Sequence, residues 1–236
     1  MKLRAKLFMA VMTLAAMESR AGEITGTVFL KGTPPPEKEI TPLKEDAICG
    51  ALHSAPVKTS FYVTGAKGEL ADAIVMLKNV KGDSKGADAP PVIINQKSCM
   101  YSPAIVAVQT GQKIIVKNSD AVIHNVHVQP AAEGNAESND SQVPGGADLT
   151  FSFSAPENFL RFKCDVHPWM FAWVTVVDSR YFAVTGSDGT FKIADVKPGH
   201  YTIRVLHRKL APTGVDKEIE VSDTQPAKVD FTLEVK

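Results

Sequence analysis

Apolar and polar residues alternate with a period of two along most of this chain, and no stretch carries the apolar stripe of a long amphipathic helix. Such alternation indicates strands with one buried face. The clearest segments are Lys113 to Lys117, Leu149 to Phe153, Leu160 to Cys164, Tyr201 to Val205 and Val229 to Val235. Because clusters of glycine, proline, asparagine and aspartate separate these short runs, the pattern predicts a nearly all-β protein made of antiparallel β-sandwiches.

The first 21 residues follow a different pattern. A basic head containing Lys2, Arg4 and Lys6 precedes a mostly apolar stretch from Leu7 to Met17, and small residues follow it. This arrangement is typical of a cleavable signal peptide, and the apolar stretch is too short for a permanent membrane anchor. We therefore expect residues 1–21 to be a signal peptide and the protein to be exported to the periplasm, with no membrane span.

The charge balance argues against one class of partner. The chain has 26 lysines and arginines against 26 aspartates and glutamates. Proteins that bind a phosphate backbone present an excess of basic side chains. We therefore expect no nucleic acid partner.

Three cysteines in an exported chain leave one without a partner. Because exported proteins are oxidised, Cys49 and Cys99 are expected to form a structural disulfide. An alternative is that these two cysteines join His53 in a second metal site. In either case Cys164 remains as the unpaired cysteine.

Cys164 begins a short run that also contains His167 and Met170, and a further histidine, His124, lies well upstream. Two imidazoles and a thiolate with a weak thioether form the donor set of an electron-transfer copper site. Sulfur ligands suit Cu(I), whereas the imidazole nitrogens also suit Cu(II). The residue types therefore predict one metal site assembled from two separate segments.

Strand geometry selects the histidine of the upstream segment. Alternate residues of a strand share a face, so His124 points the same way as Val126, into the core, while His127 points to the surface. By the same rule Cys164 shares the inner face of its strand with Phe162. His124 is therefore the expected ligand, and His127 is not.

The segments Ile123 to Val128 (IHNVHV) and Cys164 to Met170 (CDVHPWM) resemble the ligand segments of cupredoxins of the amicyanin and plastocyanin-like type. The resemblance extends over residues 92–178 and implies a Greek-key β-sandwich with one type 1 (blue) copper ion. The ligands that it implies are His124, Cys164, His167 and Met170. It also implies that Asn125 ties the two ligand segments together.

The copper loop departs from the cupredoxin pattern at two positions. Val166 stands where the family has proline, and Trp169 replaces phenylalanine. We expect His167 to lie at the solvent edge of the site as the route for electrons. Trp169 is either a packing residue or part of an exposed apolar patch for docking a partner.

The segment Gly186 to Val205 (GSDGTFKIADVKPGHYTIRV) resembles carboxypeptidase regulatory-like, or prealbumin-like, β-sandwiches. The opening strands of that family resemble the N-terminal part of this chain as well. This suggests a split sandwich made of residues 22–90 and 181–236, with the cupredoxin domain of residues 92–178 inserted between them. The alternative is three consecutive units.

Together these features predict a copper protein that carries single electrons between a donor and an acceptor protein, which it contacts transiently. One alternative is a periplasmic protein that stores or delivers copper through the same ligands. Another is a structural module in which the second sandwich is adhesive or binds carbohydrate. An enzyme is not expected, because a copper nitrite reductase needs a second copper bound by additional histidines, and no nucleophile motif is present.

Overall fold

The structure, a computed structural model, describes residues 22–235. The predicted signal peptide, residues 1–21, lies outside the described residues. Within residues 22–235 the regular structure is almost entirely β, with seventeen strands, one α-helix and two 3₁₀ turns, which confirms the predicted fold class. No helix in this part of the chain is long and apolar enough to cross a bilayer.

The helical elements are short, and the strands follow one another along the whole described chain. The α-helix α1 spans Thr41–Glu45, and the 3₁₀ turns span Gly50–Leu52 and Gly86–Asp88. The strands are β1 (Gly22–Lys31), β2 (Ile74–Leu77), β3 (Val92–Lys97), β4 (Met100–Ser102), β5 (Ile105–Gln109), β6 (Ile114–Asn118), β7 (His124–Gln129), β8 (Ser138–Gln142), β9 (Leu149–Phe151), β10 (Glu157–Lys163), β11 (Phe171–Val177), β12 (Phe182–Val184), β13 (Thr190–Val196), β14 (Gly199–His207), β15 (Ala211–Val221), β16 (Ala227–Lys228) and β17 (Phe231–Glu234).

Two sheets from the middle of the chain enclose the first core. One has the strand order β5-β11-β10-β7-β8 and the other the order β4-β3-β6-β9. Apolar residues on the inner faces of these strands are fully buried between the sheets, among them Ile94, Val116, Val126, Phe162 and Val174. Burying alternate residues of each strand is what the period-two pattern predicts.

Two further sheets enclose a second core. In one, β1 lies between β13 and β16 and also pairs with β17, while the other has the order β12-β2-β14-β15. This core contains Ile24, Val75, Phe191, Ile203 and Phe231. Strands from the N-terminal part of the chain and strands that follow residue 180 therefore bury their apolar faces together.

The turn before β13 shows why glycine is needed at Gly189. Its φ is +66°, a conformation that L-residues rarely adopt, and a Cβ there would lie 2.7 Å from the carbonyl oxygen of Val28. An aspartate followed by glycine, as at Asp188 and Gly189, is typical of tight turns. The strand pairing of β13 with β1 begins directly after this pair.

Residues 38–59 form a closed loop, which we name the cover segment and which the strand pattern did not predict. Its two ends are joined by backbone hydrogen bonds, from Ile40 N–H to Val57 O at 2.9 Å and from Thr59 N–H to Lys38 O at 2.8 Å. Helix α1 and the first 3₁₀ turn lie within it.

The cover segment packs against the first core rather than the second. Leu43 and Cys49 are buried there with the residues of the central sheets. The predicted disulfide is present, because Cys49 is bonded to Cys99 in the turn between β3 and β4. The segment is thus attached to the central sheets both by packing and by a covalent bond.

Candidate metal centre

Two adjacent antiparallel strands bring the upstream and downstream segments together. Strand β7 begins at His124, and β10 ends at Lys163, immediately before Cys164. The strands pair with His127 opposite Lys163. His124, on the inner face of β7, and Cys164, directly after β10, are both buried.

Three possible metal-binding atoms meet at this end of the first core. The Nδ1 atoms of His124 and His167 lie 2.9 Å apart, and the Sγ of Cys164 lies 3.6 Å from Nδ1 of His167. All three donor atoms lie within 4.8 Å of one another. Atoms that each lie about 2 Å from one ion are separated by such distances, so the three side chains fit a single metal ion.

The loop that carries His167 and Met170 is closed by its own backbone. Met170 N–H donates to His167 O at 2.9 Å, and Cys164 N–H donates to Met170 O at 3.2 Å. The backbone N–H of His167 also points at the sulfur of Cys164, at 3.4 Å. Met170 is fully buried in the first core, and these bonds keep it beside the two other residues of the loop.

Asn125 connects the two segments. Its Oδ1 accepts hydrogen bonds from the backbone N–H groups of Asp165 (2.7 Å) and Val166 (3.3 Å), and from the thiol of Cys164 (3.3 Å). One side chain on β7 therefore fixes both the sulfur and the start of the loop that follows it.

Asp120 belongs to the site, although no sequence motif pointed to it. Its Oδ2 accepts hydrogen bonds from Nε2 of His124 (3.0 Å) and from the backbone N–H of Cys99 (2.8 Å), and its Oδ1 accepts one from Ser98 N–H (2.5 Å). A carboxylate on the outer nitrogen fixes the tautomer and orientation of a metal-binding histidine. Its position four residues before His124 was the only signal in the sequence.

His167 lies beneath the cover segment, in contrast to its expected place at the solvent edge. Only 7% of the residue is exposed, and the sulfur atoms of Cys49 and Cys99 lie within 4.8 Å of its ring nitrogen. Burial, followed by the neighbouring charge of His124, lowers the pKa of His167. Burial therefore favours the neutral ring, which is the form that binds metals.

Trp169 is half-buried and attached to the same turn as the disulfide. Its Nε1 donates to the carbonyl oxygen of Cys99 at 3.0 Å, and its ring centroid lies 5.3 Å from that of His167. Its indole therefore packs beside the imidazole, with its polar atom satisfied inside the protein.

The remaining histidines near the site have other partners. His127 lies between two carboxylates, Asp165 at 2.8 Å from Nδ1 and Glu137 at 2.7 Å from Nε2. His53 contacts the carbonyl oxygen of Ser98 at 2.8 Å. Because Cys49 and Cys99 are joined in a disulfide, the alternative site with His53 has no thiolates.

Comparison with protein families identifies one matching model. The carboxypeptidase regulatory-like domain model matches residues 167–234, which include β11 to β17 and begin inside the candidate metal loop. No curated protein gives a significant match.

Solved structures similar to this chain include three kinds of copper protein. A mutant of amicyanin with Cu(I) is 17% identical and has a TM-score of 0.34, with 44% of this chain and 98% of that chain covered. A purple cupredoxin from Nitrosopumilus maritimus is 21% identical with a TM-score of 0.31, and 36% of this chain and 99% of that chain are covered. A copper-containing nitrite reductase from Thermus scotoductus SA-01 is 17% identical with a TM-score of 0.33, and the match covers 37% of this chain but only 22% of the reductase.

Proposed function

We propose that this chain is an exported type 1 copper protein that carries single electrons between two redox partners, and that it is not an enzyme. The observation that carries the proposal is the convergence of one buried free thiol and two imidazole nitrogens within 4.8 Å. The proposed ligands are His124, Cys164, His167 and Met170. A copper ion bound there would supply a couple between Cu(I) and Cu(II).

The side chains around the proposed ligands restrict their movement. Asp120 holds the ring of His124, and Asn125 holds the sulfur of Cys164 together with the backbone that follows it. When the surrounding side chains hold the metal ligands in place, the geometry of the site changes little between the two oxidation states. Little reorganisation then opposes electron transfer.

Burial of His167 favours retention of the ion over its delivery. In a delivery protein a partner has to reach the ion, whereas in this chain the imidazole lies under the cover segment and only 7% of the residue is exposed. An electron, unlike an ion, can pass through the side chains that cover the site. Burial of His167 therefore does not prevent electron transfer.

Apolar side chains beside the ligands support transient docking of a partner. Ile123 precedes His124 and is 46% exposed, and Val166 precedes His167 and is 53% exposed. Redox partners commonly meet through small interfaces of this kind. We propose that these two residues belong to the contact surface.

We also propose that the chain has two domains, one of them split. Residues 22–90 contribute β1 and β2 to the second core, residues 181–236 contribute the rest of it, and residues 92–178 form the inserted cupredoxin domain. The shared core of these strands supports the division. The cover segment lies in the first part of the split domain but packs on the inserted one.

The proposal is tested by loading the full chain with copper and recording visible absorption and electron paramagnetic resonance spectra. We expect an intense thiolate-to-copper absorption in the wild type and its loss in Cys164→Ser. His127→Gln is the matched control, because His127 is on the same strand as His124 but faces two carboxylates. This control should keep the spectrum.

A chelator then separates the carrier from the delivery protein. Retention of copper together with reversible reduction supports the carrier, whereas rapid transfer of copper to the chelator supports delivery. A copper-loaded wild type without the absorption, or an absorption that survives Cys164→Ser, contradicts the proposed centre.

A further inference from the structure

A cavity of about 600 Å³ lies beside the candidate metal centre, where the cover segment and both groups of sheets meet. This volume lies within the range of about 300–1,000 Å³ that is typical of small-molecule sites. The cavity shares Trp169 with the metal centre, since this side chain lines the cavity and also packs against His167. The chemistry of its lining indicates what it binds.

Five aromatic rings line the cavity. They are Phe61, directly after the cover segment, Tyr101 of β4, Trp169 of the candidate metal loop, and Phe171 and Trp173 at the start of β11. Flat aromatic faces present a large apolar surface with a preference for stacking or edge contacts with another ring. The lining therefore fits a planar aromatic group better than a flexible polar one.

Arg208 places a positively charged guanidinium at the cavity. Its guanidinium lies over two aromatic rings, at 4.8 Å from the centroid of Phe61 and 4.8 Å from that of Trp173. Among the hydrogen bonds and ion pairs of residues 22–235 none involves Arg208, although the charges of Tyr62 and Glu37 act on it from a distance. Arg208 is half-buried, and this burial lowers its pKa.

The acidic residue that acts on this guanidinium, Glu37, is engaged elsewhere. Its Oε1 accepts the backbone N–H groups of Phe61 at 2.6 Å and Tyr62 at 2.7 Å. A partly desolvated guanidinium without an acceptor is unfavourable, and a carboxylate is the partner whose geometry matches it. Glu37 therefore acts on Arg208 only through its charge, and within residues 22–235 no carboxylate forms a direct ion pair with this guanidinium.

Other charged groups in the lining leave an excess of positive charge. Lys38 and Lys58 also line the cavity. Two acidic residues, Glu39 and Asp72, line the cavity as well. Glu39 forms an ion pair at 3.0 Å with Lys44, which does not line the cavity. Burial raises the pKa of the other, Asp72, which reduces the range of pH over which it is charged.

We propose that this cavity binds a small planar aromatic anion, with its ring against the aromatic lining and its carboxylate on Arg208. The inference goes beyond the proposed electron transfer and does not depend on copper. It assigns the chain a second ligand site that adjoins the first through Trp169.

The test uses the full chain without metal and three related probes. Benzoate has the ring and the charge, benzyl alcohol has only the ring, and cyclohexanecarboxylate has only the charge. The chain contains two tryptophans, Trp169 and Trp173, and both line the cavity, so tryptophan fluorescence reports directly on it. Calorimetric titration provides an independent affinity.

We expect a saturable fluorescence change with benzoate, and binding at least about tenfold weaker for each of the other two probes, because each lacks one of the two interactions. Arg208→Gln should weaken benzoate binding by about tenfold. Arg180→Gln is the matched control, since Arg180 also lies over a ring, that of Tyr181 at 5.1 Å, but does not line the cavity. It should bind benzoate like the wild type.

Three results would overturn the inference. These are the absence of a saturable response to benzoate, equal binding of the three probes, and unchanged benzoate binding by a folded Arg208→Gln variant. If Arg208→Gln does not fold, Arg208→Lys replaces it, because lysine keeps the charge but not the planar fork, and an unchanged affinity then refutes the proposed carboxylate contact.

Discussion

Replacing Asp120 by alanine should destabilise the protein strongly, because one buried carboxylate serves both the candidate metal centre and the turn next to it. Asp120 accepts hydrogen bonds from His124 Nε2 and from the backbone N–H groups of Ser98 and Cys99. Ser98 and Cys99 form the two-residue turn between β3 and β4, and their φ values are +54° and +53°. Such a turn ordinarily uses asparagine and glycine, so in this chain the carboxylate holds two less suitable residues.

The magnitude follows from the donors that lose their acceptor. His124 Nε2 and Cys99 N–H are buried, and each buried donor without a partner costs about 1–3 kcal/mol. Ser98 is partly exposed, so water replaces much of its bond. We therefore expect Asp120→Ala to lower the free energy of unfolding by about 4 kcal/mol. Asp120→Asn keeps one acceptor oxygen, so it should lower the free energy of unfolding by about half as much.

Urea unfolding of the metal-free chain, followed by tryptophan fluorescence, measures this loss. Trp169 packs against the first core and Trp173 lies on β11 of the sheet that encloses it, so the signal reports on the part of the protein that contains Asp120. Asp148→Ala is the control, because its exposed pair with Lys117 should contribute less than about 1 kcal/mol. A loss below about 1 kcal/mol for Asp120→Ala would refute the argument from buried donors.

Three further perturbations have defined outcomes. Replacing Cys49 and Cys99 by alanine opens a link between residues 50 positions apart and should lower the free energy of unfolding by about 4 kcal/mol, as measured by urea unfolding. Asn125→Ala should release copper to a chelator about tenfold faster, whereas an unchanged release rate would show that this side chain does not restrain the thiolate. The hydrogen bond that His127 donates to Glu137 raises the pKa of His127 above 6.5. The contribution of this pair to stability is therefore complete below pH 6.5 and is lost as the pH rises through the folded-state pKa. Unfolding measured across this range should be less dependent on pH in His127→Gln, and an identical profile would refute the assignment.

The strands whose apolar residues alternate could be predicted from the sequence, because burial of one face of a strand requires an apolar residue at every second position of that strand. Strand β10, with Leu160 and Phe162 inward, is an example, and so is β14. Strand β8 escaped prediction because its residues, Ser138–Gln142, are polar and it is held by pairing with β7 at the edge of a sheet. Edge pairing depends on the neighbouring strand and leaves little trace in composition.

Residue type and spacing predicted four ligands, and the structure brings the donor atoms of three of them, His124, Cys164 and His167, together. Asp120 could not be recognised in the same way, since an aspartate after Asn118 and Ser119 is also an ordinary turn residue. The cover over His167 was equally hidden, because it depends on contacts between residues far apart in the chain. Spacing within a segment identifies donors, but only the fold shows what surrounds them.

The disulfide between Cys49 and Cys99 also has a consequence for maturation. The disulfide holds the cover segment over the imidazole of His167. If it forms before a metal ion binds, the ion has to reach the imidazole past the cover segment. A chain that meets the ion while both thiols are still reduced has no such obstacle. The rate at which the proposed centre takes up copper should therefore depend on the order in which oxidant and copper are supplied.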